Sequence, residues 1–346
     1  MIVSFPTYAR RIPGERRWRA DVAGMVARPL PERSRRRALA RAVLKRILDV
    51  EDDEIDTEIF RQRADAFFFQ RLAGVPVRLS IAGRTVDVGL SDRAGHFQAE
   101  VLLDDDAIST LAVADGPGCR WLGYEAAALP GDDDGGRAAA DAATSATGRI
   151  QCVEDEGLSV ISDIDDTVKI TDVARRRELL ANTFLREFAA VPGMPEALRR
   201  LHAAGLPFHY VSASPWQLAA SLCDFFGRAG LPAGSMHLKL FRLKDSTPLR
   251  RLPSRKRSKR RIIERILADF PRRRFVLVGD SGELDPEVYA TVTRRNPEQV
   301  QAVLIRQVEG KPSREKVRAR LDRLAATLPA GMLRVFTDAA EVEALL

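Results

Sequence analysis

The sequence predicts an α/β protein in two parts, a C-terminal parallel sheet with helices on both faces and, before it, a smaller β-rich, sandwich-like domain with a helix. Three observations carry this. After residue 148, short apolar runs of strand length alternate with segments of helical period. Before residue 131, apolar and polar residues alternate over short stretches, the pattern of strands with one buried face. Between them Gly131–Gly148, GDDDGGRAAADAATSATG, offers little to bury and reads as a linker or long loop. The expected domains are therefore 1–148, with the acidic linker at its end, and 149–346. At 346 residues the chain is longer than one core usually serves, and 45% hydrophobic residues predict a folded protein.

In the first part, Trp18 to Val26 reads as a strand, and Leu39, Val43 and Ile47 recur at helical spacing within a helix expected over Glu32 to Val50. Val77, Leu79 and Ile81 then alternate with polar neighbours, Gly83-Arg84 turns, and Val86, Val88 and Leu90 alternate again. Asp92 to Gly95 leads into a third strand with Phe97, Ala99, Val101 and Leu103, so an antiparallel meander is expected. This half shows no chemistry. His96 falls on the presumed outer side of its strand without a second histidine nearby, which makes it a surface residue rather than a ligand.

In the second part the strands are expected at Leu158 to Ile161, Phe208 to Val211, Met236 to Leu243, Phe275 to Val278, Ala302 to Ile305 and Leu333 to Phe336. Helices are expected at Pro195 to Ala204, Trp216 to Ala229 and Lys259 to Phe270. Such an alternation makes a parallel sheet, whose sites collect at the carboxyl ends of its strands.

Composition narrows the class. Cys119, Cys152 and Cys223 lie far apart, without the spacing of a zinc site or a disulfide framework. The N-terminus lacks the apolar core of a signal peptide, and no stretch reaches about 18 apolar residues, so a cytoplasmic protein without a transmembrane segment is expected. A formal charge of +7 suits a polyanionic partner, whether nucleic acid, anionic lipid or phosphorylated substrate.

Four polar clusters sit just past predicted strands. Asp163-Ile164-Asp165-Asp166-Thr167 crowds three carboxylates that repel one another unless a cation or proton relieves them. Oxygen-only ligands suit Mg²⁺. Ser212-Ala213-Ser214 offers hydroxyls to a phosphate oxygen, Ser258-Lys259-Arg260-Arg261 opens a helix with positive charge, and Gly279-Asp280-Ser281-Gly282-Glu283-Leu284-Asp285 adds further carboxylates. Gly279 would let the backbone approach a ligand.

In order and spacing these clusters resemble the four motifs of the haloacid dehalogenase superfamily, over roughly residues 155 to 310. VISDIDDTVKITDV, FHYVSASPWQL and ADFPRRRFVLVGDSGELDPEVYA more closely resemble the actin-patch phosphatidate phosphatase family. The resemblance implies a Rossmann-like haloacid dehalogenase domain and a Mg²⁺-dependent phosphoric monoester hydrolase. Asp163 would be the nucleophile and Asp165 the acid/base, since phosphatases of this superfamily carry an aspartate two places after the nucleophile. Asp163, Asp280 and the backbone carbonyl of Asp165 would hold the metal. Thr167, Ser212 and Lys259 would hold the phosphoryl group, and Asp285 and Ser281 would support the metal site or Lys259 from behind. Ser214 could replace Ser212, and Lys256 could replace Lys259.

Only 48 residues separate Asp163 from Ser212, enough for a crossover helix and a flap or short helix but not for a large cap, so the site should admit a bulky substrate. Nearby, Arg250 to Arg261, RRLPSRKRSKRR, carries eight basic residues in twelve, a cluster attracted to anionic headgroups. The expected partners are a phosphorylated lipid substrate and, peripherally, an anionic membrane surface. A polynucleotide end or a phosphoprotein fits the same open, basic mouth but is not preferred, and a non-catalytic scaffold is the reading from another class.

Overall fold

The computed structural model describes residues 1–48, 50, 55–129, 144–239, 255–308 and 314–344. The chain divides into two compact units. One comprises Met1–Asp115, Cys119–Val153 and Trp216–Ser221; the other comprises Gly116–Gly118, Glu154–Pro215 and Leu222–Leu346.

The first unit holds β1 (Ile2–Ser4), β2 (Thr7–Arg11), β3 (Arg17–Pro29), α1 (Arg35–Leu48), α2 (Glu58–Asp65), β4 (Phe69–Arg71), β5 (Pro76–Ile81), β6 (Arg84–Leu90), β7 (His96–Asp104), α3 (Asp105–Leu111), β8 (Val113–Ala114), β9 (Arg120–Ala128) and β10 (Thr144–Val153). Its ten strands form one connected pairing network, with the order β1-β3-β2-β10-β9-β5-β6 and with β4, β7 and β8 attached to β3, β3 and β9. Alternation gives each strand one inward face, and Trp18, Val22, Leu79, Phe97, Val101, Leu122 and Ile150 meet in a single core.

Three expectations for this unit change. β5 and β6 form the expected hairpin, but β7 pairs along its length with β3 rather than continuing a meander beside β6. Alternation fixes which face of a strand is buried, not which strand lies beside it. The stretch expected to be linker is partly strand: Thr144–Val153 runs antiparallel to β9 and parallel to β2, so this unit reaches Val153 rather than residue 148, while 131–143 lies outside the described residues. His96 is not a surface residue; its side chain is 13% exposed and lies 3.6 Å from Asp92.

The second unit holds β11 (Glu156–Ser162), α4 (Arg176–Phe184), α5 (Met194–Ala203), β12 (Phe208–Pro215), most of α6 (Ala219–Ala229), β13 (Gly234–Lys239), α7 (Arg255–Asp269), β14 (Arg272–Asp280), α8 (Asp285–Arg295), β15 (Val300–Arg306), α9 (Arg314–Ala325), β16 (Leu333–Phe336) and α10 (Glu341–Ala344). All six strands are parallel, in the order β13-β12-β11-β14-β15-β16. Counted within the unit this is 3-2-1-4-5-6, the doubly wound order, and its switch point lies between β11 and β14. The strands are buried on both faces, as Val160, Phe208, Val276 and Leu304 show, which is why they read as continuous apolar runs. Residues 240–243 of the strand expected at Met236 to Leu243 lie outside the described residues. Only α4 and α5 stand between β11 and β12, so no large cap is inserted there.

Candidate active site

The first cluster emerges where β11 ends. Asp163 follows the strand directly, its N–H donating to the Val278 carbonyl of β14 at 2.9 Å, which fixes it at the switch point. The chain then coils tightly: the N–H groups of Val168 and Lys169 both donate to the Ile164 carbonyl, and Asp166 takes a left-handed φ of 55°. Aspartate tolerates that region better than most side chains, and here its carboxylate accepts the backbone N–H groups of Thr171, Asp172 and Val173 at 2.7–2.8 Å. Asp163 and Asp165 are thereby held buried on a short, heavily bonded loop.

Lys259, carried into the site by α7, donates to Asp163 Oδ1 at 2.6 Å and to Asp285. Thr167 Oγ1 lies 3.4 Å from the other Asp163 oxygen. Sequence reasoning offered Lys256 in place of Lys259; the structure brings Lys259 to Asp163, and the Lys256 side chain lies outside the described residues.

Asp280 ends β14. Its Oδ1 accepts the N–H groups of Gly282 at 2.5 Å and Glu283 at 3.1 Å, and its buried Oδ2 has no hydrogen-bond partner. Asp285 opens α8 and likewise leaves one buried carboxylate oxygen unpartnered. One carboxylate oxygen from each of Asp163, Asp280 and Asp285 lies within 4.8 Å of the others. Orphaned buried oxygens in an all-oxygen cluster are the donor set a hard divalent cation takes. Asp285, expected to support the metal site or Lys259 from behind, meets Lys259 and also supplies the third carboxylate of this cluster. Gly279 makes that possible: a Cβ there would lie 2.4 Å from the Asp285 carboxylate and 2.7 Å from the Tyr289 ring, so the glycine admits these side chains rather than a ligand. Ser281 keeps to the surround, its N–H donating to the Arg306 carbonyl and its hydroxyl accepting the Val308 N–H.

The electrostatics follow from this crowding. Burial pushes Asp163 well above the usual carboxylate range; Lys259 opposes this and the Asp285 and Asp280 carboxylates reinforce it. Burial, with Asp285 and Glu283 beside it, pushes Asp280 up to about 8. Lys259 is held well above its ordinary value: burial works against its charge, but Asp163 and Asp285 outweigh burial.

Asp165 behaves in the opposite sense. Burial would raise it, yet the adjacent Lys169 charge and the hydrogen bonds it receives bring it down to about 2. Lys169 Nζ lies 2.9 Å from Oδ1, which also accepts the Thr171 hydroxyl at 2.8 Å, while Ser212 and Ser214 both donate to Oδ2, at 3.0 and 2.8 Å. The two serines weighed as alternatives for the phosphate therefore converge on one carboxylate oxygen. Sequence reasoning missed Lys169 and Thr171; the signal was the VKIT that follows the aspartates, where a lysine at the fourth position after Asp165 can fold back on it.

Two cavities flank this centre. One of about 220 Å³ is lined by Ser212, Lys259 and Asp285 together with Val211, Ile262 and Leu284. The other, about 770 Å³, is lined by Asp166, Ser281, Arg306 and Arg314 among others, and Val173, Ala174 and Gly282 border both.

The family described as phosphatidate phosphatase APP1, catalytic domain, matches residues 158–307. Phosphatidate phosphatase APP1 of Saccharomyces cerevisiae is 38% identical over 154 residues, 43% of this chain and 26% of that protein. An uncharacterized protein of Schizosaccharomyces pombe is 33% identical over 163 residues, 46% of this chain and 26% of its own. The chain thus spans about a quarter of the length of these relatives. A solved HAD-like chain from Mesorhizobium loti aligns with a TM-score of 0.30 at 14% identity, covering 49% of this chain and 88% of its own. Residues 158–307, which carry the aspartate-rich switch point, are similar to the phosphatidate phosphatase APP1 family of catalytic domains.

Proposed function

We propose that this protein is a Mg²⁺-dependent, phosphatidate phosphatase-like hydrolase that releases phosphate and diacylglycerol at a membrane surface. The observation that carries the reading is the buried convergence of Asp163, Asp280 and Asp285 with Lys259 on Asp163 and Asp165 alongside. Asp163 and the unpartnered oxygens of Asp280 and Asp285 would hold the metal, which supplies charge neutralisation to the carboxylates and to the phosphoryl group.

An Asp163 oxygen attacks phosphorus, the P–O bond to the alcohol breaks, and the leaving oxygen takes a proton from Asp165. Asp165 then removes a proton from water, whose oxygen attacks the aspartyl-phosphate, freeing phosphate and restoring Asp163. At rest Asp165 is ionised and bonded by both serines. When Ser212 turns its hydroxyl to a phosphoryl oxygen, Asp165 loses a donor that stabilised its charge, and the incoming phosphate dianion repels it; both favour the protonated form that the first step needs. Lys259, bonded to Asp163, is placed to counter phosphoryl charge in the transition state.

The lipid substrate is favoured by the family match, the absence of a large cap between β11 and β12, and the apolar wall of Val211, Ile262 and Leu284 beside Lys259. The basic run Arg250 to Arg261 suits peripheral attachment, although 250–254 lies outside the described residues, and no helix among the described residues is long and apolar enough to cross a membrane. A cytoplasmic enzyme visiting membranes is the proposed setting.

The test is phosphate release from dispersed phosphatidate, a 5′-phosphorylated oligonucleotide and a chromogenic phosphomonoester, each with Mg²⁺ and with a chelator. Metal-dependent release from phosphatidate that Asp163→Asn reduces to background is expected. Preference for the oligonucleotide would move the substrate to nucleic acid, and no release from any of the three would leave the scaffold reading.

A further inference from the structure

The helix expected from Leu39, Val43 and Ile47 is present as α1, but two of these residues do not face a core. Leu39 is 66% exposed and Val43 50% exposed. They lie one turn apart on the face that also presents Ala38 and Ala42 to solvent. The opposite side anchors the helix. Leu48 is 2% exposed, and Arg37 reaches inward to donate to Asp65 at 2.6 Å and to the Leu30 carbonyl, its guanidinium 6.0 Å from the Phe68 ring centre.

The charge on α1 is one-sided. RRRALARAVLKRIL holds six basic residues and no acidic one. Arg35, Arg36 and Arg46 are exposed and flank the Leu39–Val43 strip at its two ends. A lone exposed leucine needs no explanation, but an apolar strip one turn long, framed by arginines on a helix without a carboxylate, is the pattern of a helix lying in a headgroup layer. There the apolar side chains enter the acyl boundary while the arginines meet anionic groups. A protein partner would have to bring a matching acidic rim, whereas an anionic bilayer supplies apolar depth and negative charge together.

We propose that α1 is an interfacial docking helix for an anionic lipid surface, with Leu39 and Val43 inserting and Arg35, Arg36 and Arg46 pairing with headgroups. The choice of a lipid partner rests on the proposed phosphatidate substrate; the docking itself does not require turnover. It adds a second attachment element, in the β-rich unit, to the basic run before Lys259.

The experiment is flotation of the full chain with vesicles of phosphatidylcholine alone and with one-third phosphatidylglycerol, which carries no phosphomonoester. The result therefore stands whether or not the chain hydrolyses phosphatidate. Wild type is expected to float with the anionic vesicles and not with the neutral ones. Leu39→Ser/Val43→Ser should weaken that binding about ten-fold at an unchanged melting temperature, because both side chains are already in water. Arg36→Gln/Arg46→Gln should also weaken it and flatten its salt dependence. Undiminished binding by the Leu39→Ser/Val43→Ser variant overturns the proposal, as does equal binding to neutral vesicles. A wild-type dimer that this variant dissociates, with vesicle binding unchanged, would assign the strip to a second copy of the chain instead.

Discussion

Lys169 illustrates what sequence alone conceals. Its ammonium is buried, bonded to Thr171 at 2.5 Å, paired with Asp165 and set 4.8 Å from the Phe188 ring centre. A buried lysine is tolerated only with such partners, and a lysine in a loop is by default read as solvated, so its spacing of four from Asp165 is outweighed by that default. By contrast Asp163, Ser212 and Asp280 were legible because polar residues directly after strands are where doubly wound sheets keep their chemistry. Lys259 was legible as the charged opening of a helix. Asp285 meets Lys259, as the sequence reading had it, while its place beside Asp163 and Asp280 shows only in the fold, where α8 brings it back over Gly279. Lys169 orients Asp165 and its hydrogen-bonded serines without touching the reacting atoms. Lys169→Met is therefore expected to lower kcat about ten- to hundred-fold with KM and the Mg²⁺ requirement little changed. A fall in kcat matched by loss of Mg²⁺ response would show instead that the lysine maintains the metal cluster or the fold.

At the level of elements, legibility tracked burial. The six parallel strands, apolar on both faces, and α5 and α7, each with an inner stripe, emerged from the sequence in place, although β12 and β14 run several residues past their expected apolar runs and α7 begins four residues before Lys259. The short α2 and α3 did not, because one or two turns give too little period; α2 depends on a local cap, Thr57 accepting the Phe60 N–H, and on Phe60 beneath it. α7 joins two roles. Ile263, Ile266 and Leu267 are buried and hold the helix so that Lys259 reaches Asp163, while Arg257 at its start is exposed. Neutralising Arg251, Arg255, Lys256 and Arg257 while sparing Lys259 is expected to reduce hydrolysis on anionic vesicles by at least about ten-fold, since each basic side chain near the surface contributes up to about 1 kcal/mol of attraction before screening. A small soluble phosphomonoester should be hydrolysed as before, and salt should depress wild type on vesicles more than the variant. Equal losses on both substrates would place these residues in catalysis or folding.

For the whole molecule, the aspartate cluster couples stability to pH, and a bound metal would act through the same carboxylates. An ordinary aspartate has a value of 3.8, whereas Asp280 is pushed up to about 8 in the folded chain, chiefly by burial and then by Asp285 and Glu283. Between these values the metal-free folded state keeps a proton that the unfolded state has released, so stability falls as pH rises from about 4 to about 8. Asp163, raised by burial against the pull of Lys259, adds to this in the same direction. Other groups act elsewhere or oppositely. Asp165, held at about 2, contributes stability above about 4 that is lost as pH falls through 2. His237, lowered by burial from 6.5 to about 3, makes the fold more stable as pH rises to about 6.5. Comparing wild type with Asp280→Asn over pH 6 to 8.5 cancels the histidine contribution. In chelator, the melting temperature of wild type relative to the variant is expected to fall by a few degrees, about what 1 kcal/mol moves a domain of this size. A divalent cation binds the ionised cluster and only in the folded state, so millimolar Mg²⁺ should remove that fall in wild type, raise its melting temperature most at the alkaline end, and do little for Asp280→Asn. A difference between the two proteins that stays flat with pH in chelator, together with no Mg²⁺ effect on wild type, would mean that the three carboxylates are not a metal site.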